Sequence, residues 1–384
     1  MQTPHTPPAP SDPTTNTLDA HTDALDPTHP RHRPLPDLPD LPDLPESTES
    51  SRPSDPTLRR RLAWLAVIAC SPYLTLKLLW IVGIDVGVVD PGELDRAQWV
   101  TANVLTFGMD AVAALIAHAL TRPREVRARA WLITVPLWVA SGLLAVIMLA
   151  VPLSLMGVAF TGTGNPFAGD EFLRPWVFAV VYGGFIAEGA VLLGAFGLYA
   201  HERWATLLRT RVRALPDPAG TRDVQRFLGT AAAVLLAVTG ALRLAWALGA
   251  DFGMSRQWIA DRDAIGQWLD GSLGGLSLAG AAGLLMLVHR VGGPRTLVRT
   301  PLVMAWFGTG TAFAWSGLIG VSITTSGPDT TAGRRTSELL RLVYNAELIA
   351  GVLALTVGWF VLSEFGKSLT RTAGRDHPTR STVG

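Results

Sequence analysis

The residues Leu76-Lys77-Leu78-Leu79-Trp80-Ile81-Val82-Gly83-Ile84-Asp85-Val86-Gly87 return later in the chain as Leu242-Arg243-Leu244-Ala245-Trp246-Ala247-Leu248-Gly249-Ala250-Asp251-Phe252-Gly253. Both read Leu-basic-Leu-x-Trp-x-x-Gly-x-Asp-x-Gly. Leucine matches come cheaply among apolar helices. A basic residue, a tryptophan, an aspartate and two glycines in register do not, so the match predicts a duplicated unit. Each copy closes an apolar run of about 20 residues, the length that crosses roughly 30 Å of hydrocarbon.

Eight such runs follow one another, at roughly 62–84, 98–120, 131–157, 175–200, 227–250, 264–289, 301–324 and 337–362. In lipid they must be helices, because an open strand leaves backbone groups unpaired at several kcal/mol each. The short alternating strands of an outer-membrane barrel are absent from the pattern. Composition agrees: 16% of residues are charged and 48% hydrophobic, with a mean hydropathy of +0.30. A soluble chain carries about a quarter charged residues. The net charge of +1 predicts no nucleic-acid partner.

The sequence predicts four parts: a disordered, Pro-rich cytoplasmic tail over 1–57, four-helix membrane units over 58–215 and 216–366, and a disordered cytoplasmic tail over 367–384. The first tail is polar and has almost no large apolar residues, so burial cannot offset its ordering entropy. Within it Pro36-Asp37-Leu38-Pro39-Asp40-Leu41-Pro42-Asp43-Leu44-Pro45 repeats with the period of a polyproline II helix, which suits a semi-extended acidic spacer. No apolar segment precedes Leu62, so the tail is expected to be retained.

Orientation follows from arginine and lysine. Arg59, Arg60 and Arg61 precede the first run; Arg122, Arg124, Arg127 and Arg129 follow the second; Arg203, Arg209, Arg211, Arg213, Arg222 and Arg226 follow the fourth. Arg290, Arg295 and Arg299 follow the sixth, and Lys367, Arg371 and Arg375 the eighth. The intervening connections are poorer in basic residues, which places both termini in the cytoplasm and the chain in the plasma membrane. The stretch from His201 to Leu215 puts Trp204, Leu207, Leu208, Val212 and Leu215 on one face, as expected of a basic helix lying on the inner leaflet.

Further echoes keep the same order. His118 stands before Pro123-Arg124 as His289 does before Pro294-Arg295, Pro136-Leu137 and Pro301-Leu302 open the third and seventh runs, and Ala187-Glu188 answers Ala346-Glu347. Collinear echoes argue for duplication. A unit of four helices returns the chain to its starting side, so the copies should be parallel about an axis along the membrane normal.

Ionisable groups inside spans are costly, about 2.5–3.5 kcal/mol for Lys, Arg or Asp at a helix centre. The candidate polar site is therefore Lys77, Asp110, Glu188, Arg243 and Glu347. Lys77 and Arg243 fall roughly 10 Å below the outer surface, and Glu188 and Glu347 roughly 15–20 Å. The expectation is one buried ion pair per unit: Lys77 with Glu188 or Asp110, and Arg243 with Glu347. Such pairs either lock helices together or line a polar path between the units.

Trp80 and Trp246 are expected as aromatic anchors at the outer interface, and Asp85 and Asp251 with their glycines as tight turns ending the helix. His118 and His289 read as interfacial. The glycines of the fourth run and of the sixth, with Gly271-x-x-x-Gly275 embedded, read as helix-packing positions. The single cysteine, Cys70, excludes an intrachain disulfide and reads as a small buried hydrophobe. No metal, cofactor or catalytic motif stands out: HExxH, Gly-x-Ser-x-Gly and Walker patterns are absent, and Gly162-Thr163-Gly164 lacks the lysine of a phosphate loop.

The run from Ser71-Pro72-Tyr73 through Lys77 and Trp80 to Gly87 resembles a group of multi-pass membrane proteins of high-GC actinobacteria that share a Pro-Tyr…Leu-Lys…Trp…Gly core. That resemblance implies a membrane bundle and carries no activity. The sequence thus predicts an all-α integral membrane protein with eight transmembrane helices as two parallel four-helix repeats. Its partner is the lipid bilayer. A small-solute or ion permease with its site between the repeats is expected first, a non-transporting scaffold or partner-binding envelope protein second, and no enzyme.

Overall fold

The structure, a computed structural model, describes residues 56–89, 96–121, 130–161, 173–215, 220–260, 262, 264–326 and 337–375. Among them run α1 Pro56–Val82, α2 Arg96–Thr121, α3 Ala130–Thr161, α4 Pro175–Arg209, α5 Arg222–Ala247, the short α6 Arg256–Ala260, α7 Ala264–Val288, α8 Arg299–Ser326 and α9 Glu338–Arg375. No strand occurs among the described residues. Two isolated antiparallel bridges do, Val88 with Leu173 and Arg211 with Leu297.

Among the described residues, six helical stretches are long and apolar enough to cross a membrane: Thr134–Gly157, Pro175–His201, Arg222–Ala247, Ala264–Val288, Arg299–Gly320 and Glu338–Glu364. The expected first and second spans are present as α1 and α2 but are not among these six; within α1 the apolar stretch is the shorter Ser71–Val82. Several helices turn large apolar side chains outward. On α5 Val234 and Val238 are exposed, and on α9 Val352, Leu355 and Trp359. The opposite face of α5 is inward, with Ala232, Ala233, Leu236, Thr239, Gly240, Arg243 and Trp246 buried at helical spacing. An exposed apolar stripe on a helix backed by a packed core is what lipid contact requires.

In the first half α1 packs on α2 and α4, and α3 packs on both of those; in the second α5 packs on α7 and α9, and α8 on both of those. Between the halves α3 lies against α8 and α7. The α3–α8 crossing is reciprocal. Trp138 Nε1 donates to Thr309 Oγ1 at 3.1 Å, and Trp306 Nε1 donates to Ser141 Oγ at 2.8 Å. At its centre a Cβ on Gly142 would stand 2.3 Å from the carbonyl carbon of Gly310, so only glycine admits this approach. The pattern Trp138-x-x-Ser141-Gly142 and Trp306-x-x-Thr309-Gly310 sets the register of these two helices. The echo of Pro136-Leu137 with Pro301-Leu302 is out of that register: Pro136 is the seventh residue of α3 and Pro301 the third of α8.

Glycine does bring helices together, though not at Gly271-x-x-x-Gly275. A Cβ on Gly274 would meet the Gly240 carbonyl at 2.8 Å and one on Gly280 the Gly308 Cα at 2.9 Å, whereas Gly275 has nothing within 4 Å. In α4 a Cβ on Gly189 would meet Met148 at 2.7 Å, while Gly183, Gly194 and Gly197 face open space.

Two expectations change where α4 and the last helix end. The stretch expected as a surface helix to Leu215 is α-helical only to Arg209, with non-helical backbone at Trp204 and a separate 3-10 turn at Val212–Ala214. Leu207 and Val212 are buried against Val298 rather than facing lipid, because Val212 N–H donates to Thr296 O and Val298 N–H to Thr210 O where two loops cross. The last helix also continues to Arg375, so the segment expected as a tail from 367 begins helical. The Pro-Asp-Leu tail, Gly162-Thr163-Gly164 and the Arg122–Arg129 connection lie outside the described residues.

Candidate functional site

The repeated motif places its basic residue by closing the helix behind it. Trp80 and Trp246 are 3% and 0% exposed, so neither is a lipid-facing anchor. A buried indole N–H needs an acceptor, and the following loop supplies one: Trp80 Nε1 donates to Val86 O at 2.9 Å, Trp246 Nε1 to Phe252 O at 3.2 Å. The loop reaches back because Gly83 and Gly249 adopt φ +98° and +103°, a region open to glycine. An arginine then caps each helix end. Arg96 Nη2 donates to Trp80 O at 3.0 Å and Arg262 Nη2 to Trp246 O. Asp85 pairs with Arg96 at 2.7 Å, while Arg262 Nη1 donates to the Ala250 carbonyl at 2.9 Å, so Asp251 is not a copy of Asp85 in its contacts.

One helical turn below Trp246, Arg243 is 1% exposed and fully engaged. Its Nε and Nη2 donate to Glu347 Oε1 and Oε2 at 2.6 and 2.8 Å, and Nη1 donates to Asp270 Oδ1 at 3.1 Å. Ser316 Oγ donates to Glu347 Oε2 at 2.6 Å. The Tyr344 ring lies 5.4 Å from the guanidinium. The planar fork suits this bidentate geometry. The four polar groups come from α5, α7, α8 and α9, so one guanidinium ties all four helices of its half.

Lys77, 2% exposed, occupies the equivalent place in the first half. Its Nζ donates to Asp110 Oδ2 at 2.8 Å and sits 4.0 Å from the Tyr73 ring centroid, with Phe185 edge-on to Tyr73 at 4.5 Å. Glu188, 3% exposed on α4, acts electrostatically on Lys77. The acids therefore gather around each base within its own half, and neither network lies between the halves, where a permease cleft was expected. The interface there is the tryptophan–glycine crossing of α3 and α8.

The copies are alike in the base and unlike in the acids. Gly87 packs on Val177 and Gly253 on Leu339, which aligns Tyr182 with Tyr344 and sets Glu188 almost one turn further along its helix than Glu347. Asp270 and Ser316 were missed in the sequence. Asp270 begins a glycine-rich stretch near the head of its run and reads there as a loop-end residue; nothing marks Ser316 beyond its place in an apolar helix. His289 Nε2 contacts Thr230 Oγ1 at 2.9 Å, just past the C-terminal end of α7. No group of three metal-ligating side chains occurs among the described residues. Compared with family models, with curated proteins and with solved structures, the chain matches none.

Proposed function

We propose that the chain is a plasma-membrane protein of eight spans, two parallel four-helix repeats with both termini cytoplasmic, acting as a non-transporting scaffold whose buried charges lock its helices. The observation that carries this reading is closure: Arg243, Glu347 and Ser316 satisfy one another at 1–3% exposure inside a single four-helix half. The equivalent turns at Trp80 and Trp246 and the matched packing order support the repeat. Exposed apolar stripes support the spans. A test is flux through proteoliposomes holding the full chain. The scaffold reading expects proton and alkali-cation leak no greater than in empty vesicles; leak that vanishes on replacing Lys77 and Arg243 with methionine would overturn it.

A second reading, a small-solute or ion permease, draws on one observation. Each half holds two carboxyl groups for one base: Asp110 and Glu188 around Lys77, Asp270 and Glu347 around Arg243. In the second half Arg243 faces both Asp270 and Glu347, and two buried carboxyl groups on one base favour uptake of a proton or cation. On that reading the path runs within each half, and solute-induced stabilisation of the wild type would be lost when those four acids become amides.

A further inference from the structure

At the cytoplasmic ends of α4 and α7 two loops cross in antiparallel register. Val212 N–H donates to Thr296 O at 3.0 Å, and Val298 N–H donates to Thr210 O at 2.9 Å. The inward side of this clamp is apolar, with Val212 and Val298 at 1% and 2% exposure beside Leu207. The single bridge sets Arg211 opposite Leu297, so the segment carrying Arg209, Arg211 and Arg213 runs antiparallel beside the one carrying Arg295 and Arg299. All five arginines are exposed, and none has an ion-pair partner among the described residues. Neither 209–215 nor 290–299 contains a carboxylate.

Like charges set across a paired backbone repel. Here packing of Val212 and Val298 holds two basic segments side by side, with no carboxylate in either to neutralise them. Guanidinium groups favour phosphate, which they bind with paired N–H donors. The neighbouring surface is apolar: Val291 and Val303 are 60% and 52% exposed beside the arginines. A headgroup with an acyl chain satisfies both surfaces at once; a free ion satisfies one.

We propose that this clamp binds the phosphate headgroup of an anionic phospholipid, tying the end of α4 in the first half to the α7–α8 loop in the second. The inference rests on the membrane reading, not on the scaffold reading or on orientation. In the test below both leaflets carry the same lipid, so a chain facing the other way gives the same result. The full chain is reconstituted in phosphatidylcholine vesicles with and without phosphatidylglycerol, and its thermal midpoint is measured. Two variants of equal charge loss are compared: Arg213→Gln/Arg295→Gln/Arg299→Gln in the clamp, and Arg59→Gln/Arg60→Gln/Arg61→Gln before α1. Phosphatidylglycerol is expected to raise the midpoint of the wild type and of the α1 variant. The clamp variant is expected to lose most of that shift while matching or exceeding the wild type in phosphatidylcholine alone. A clamp variant that keeps the shift overturns the proposal, as does an equal loss in both variants, which marks diffuse attraction. An equal shift from inorganic phosphate in phosphatidylcholine vesicles also overturns it, assigning the site to the free ion.

Discussion

Replacing Arg243 with methionine keeps an apolar stem and removes the guanidinium. Three hydrogen bonds disappear, at 2.6 and 2.8 Å to Glu347 and 3.1 Å to Asp270. Two carboxyl groups are stranded at 1% and 5% exposure. Breaking a buried ion pair by deleting one partner costs about 3–5 kcal/mol. The two acids share one base, so their losses do not add, and the expected destabilisation stays within that range. The companion variant Arg243→Met/Asp270→Asn/Glu347→Gln removes every charge while leaving Ser316 an acceptor at position 347. Most of the penalty of a broken pair is the uncompensated buried charge, and this variant leaves none, so it should recover most of the loss. Both effects are measurable by denaturing-detergent titration in micelles, followed by tryptophan fluorescence. A single variant within about 1 kcal/mol of wild type, the size of an ordinary substitution, would refute the lock. So would a companion as unstable as the single variant.

Lys77→Met should cost less than Arg243→Met in the same titration, because a single 2.8 Å hydrogen bond to Asp110 stands where Arg243 has three. Gly142→Ala should cost about 1–3 kcal/mol through overpacking, since its Cβ meets the Gly310 backbone at 2.3 Å, whereas Gly194→Ala, with nothing within 4 Å, should cost nothing measurable. Trp246→Phe removes the donor to Phe252 O and should lower stability by about 0.5–1.5 kcal/mol; Trp80→Phe should match it, as both indoles close the same turn. Gly253→Ala should be more harmful than either, because φ is +71° and Leu339 lies 2.2 Å from the added Cβ; thermal midpoints of the purified variants rank the three.

The membrane class was legible because hydropathy acts residue by residue: a long apolar run reads the same whatever it packs against. The bases at 77 and 243 were legible for a related reason, since the turn that buries them is local and its tryptophan, glycines and aspartate sit within a few residues. Their partners were less so. Asp110 entered as one of two choices for Lys77, and Asp270 was passed over, because neither acid occupies a fixed register. A base in lipid draws a carboxylate from whichever turn of a neighbouring helix reaches it, and a two-residue echo such as Ala-Glu does not encode that reach. The reciprocal tryptophan seam was written in the chain as Trp-x-x-Ser/Thr-Gly. It stayed hidden because its meaning is pairwise: each tryptophan needs the other helix's hydroxyl. The helix expected to run on to Leu215 stops at Arg209 for a similar reason. Its apolar residues are spaced for a helix, yet Val212 finds a tertiary partner in Val298, and tertiary contact overrides local periodicity.

Two four-helix halves entering the bilayer in the same sense define the proposed architecture, and cysteine mapping tests this most directly. In a Cys70→Ala background, single cysteines at Val89, Ser255, Thr210 and Thr296 are labelled in intact cells with a membrane-impermeant maleimide. Same-sense halves predict labelling at Val89 and Ser255 from outside, and at Thr210 and Thr296 only after permeabilisation. Labelling of Val89 and Ser255 from opposite sides would contradict it.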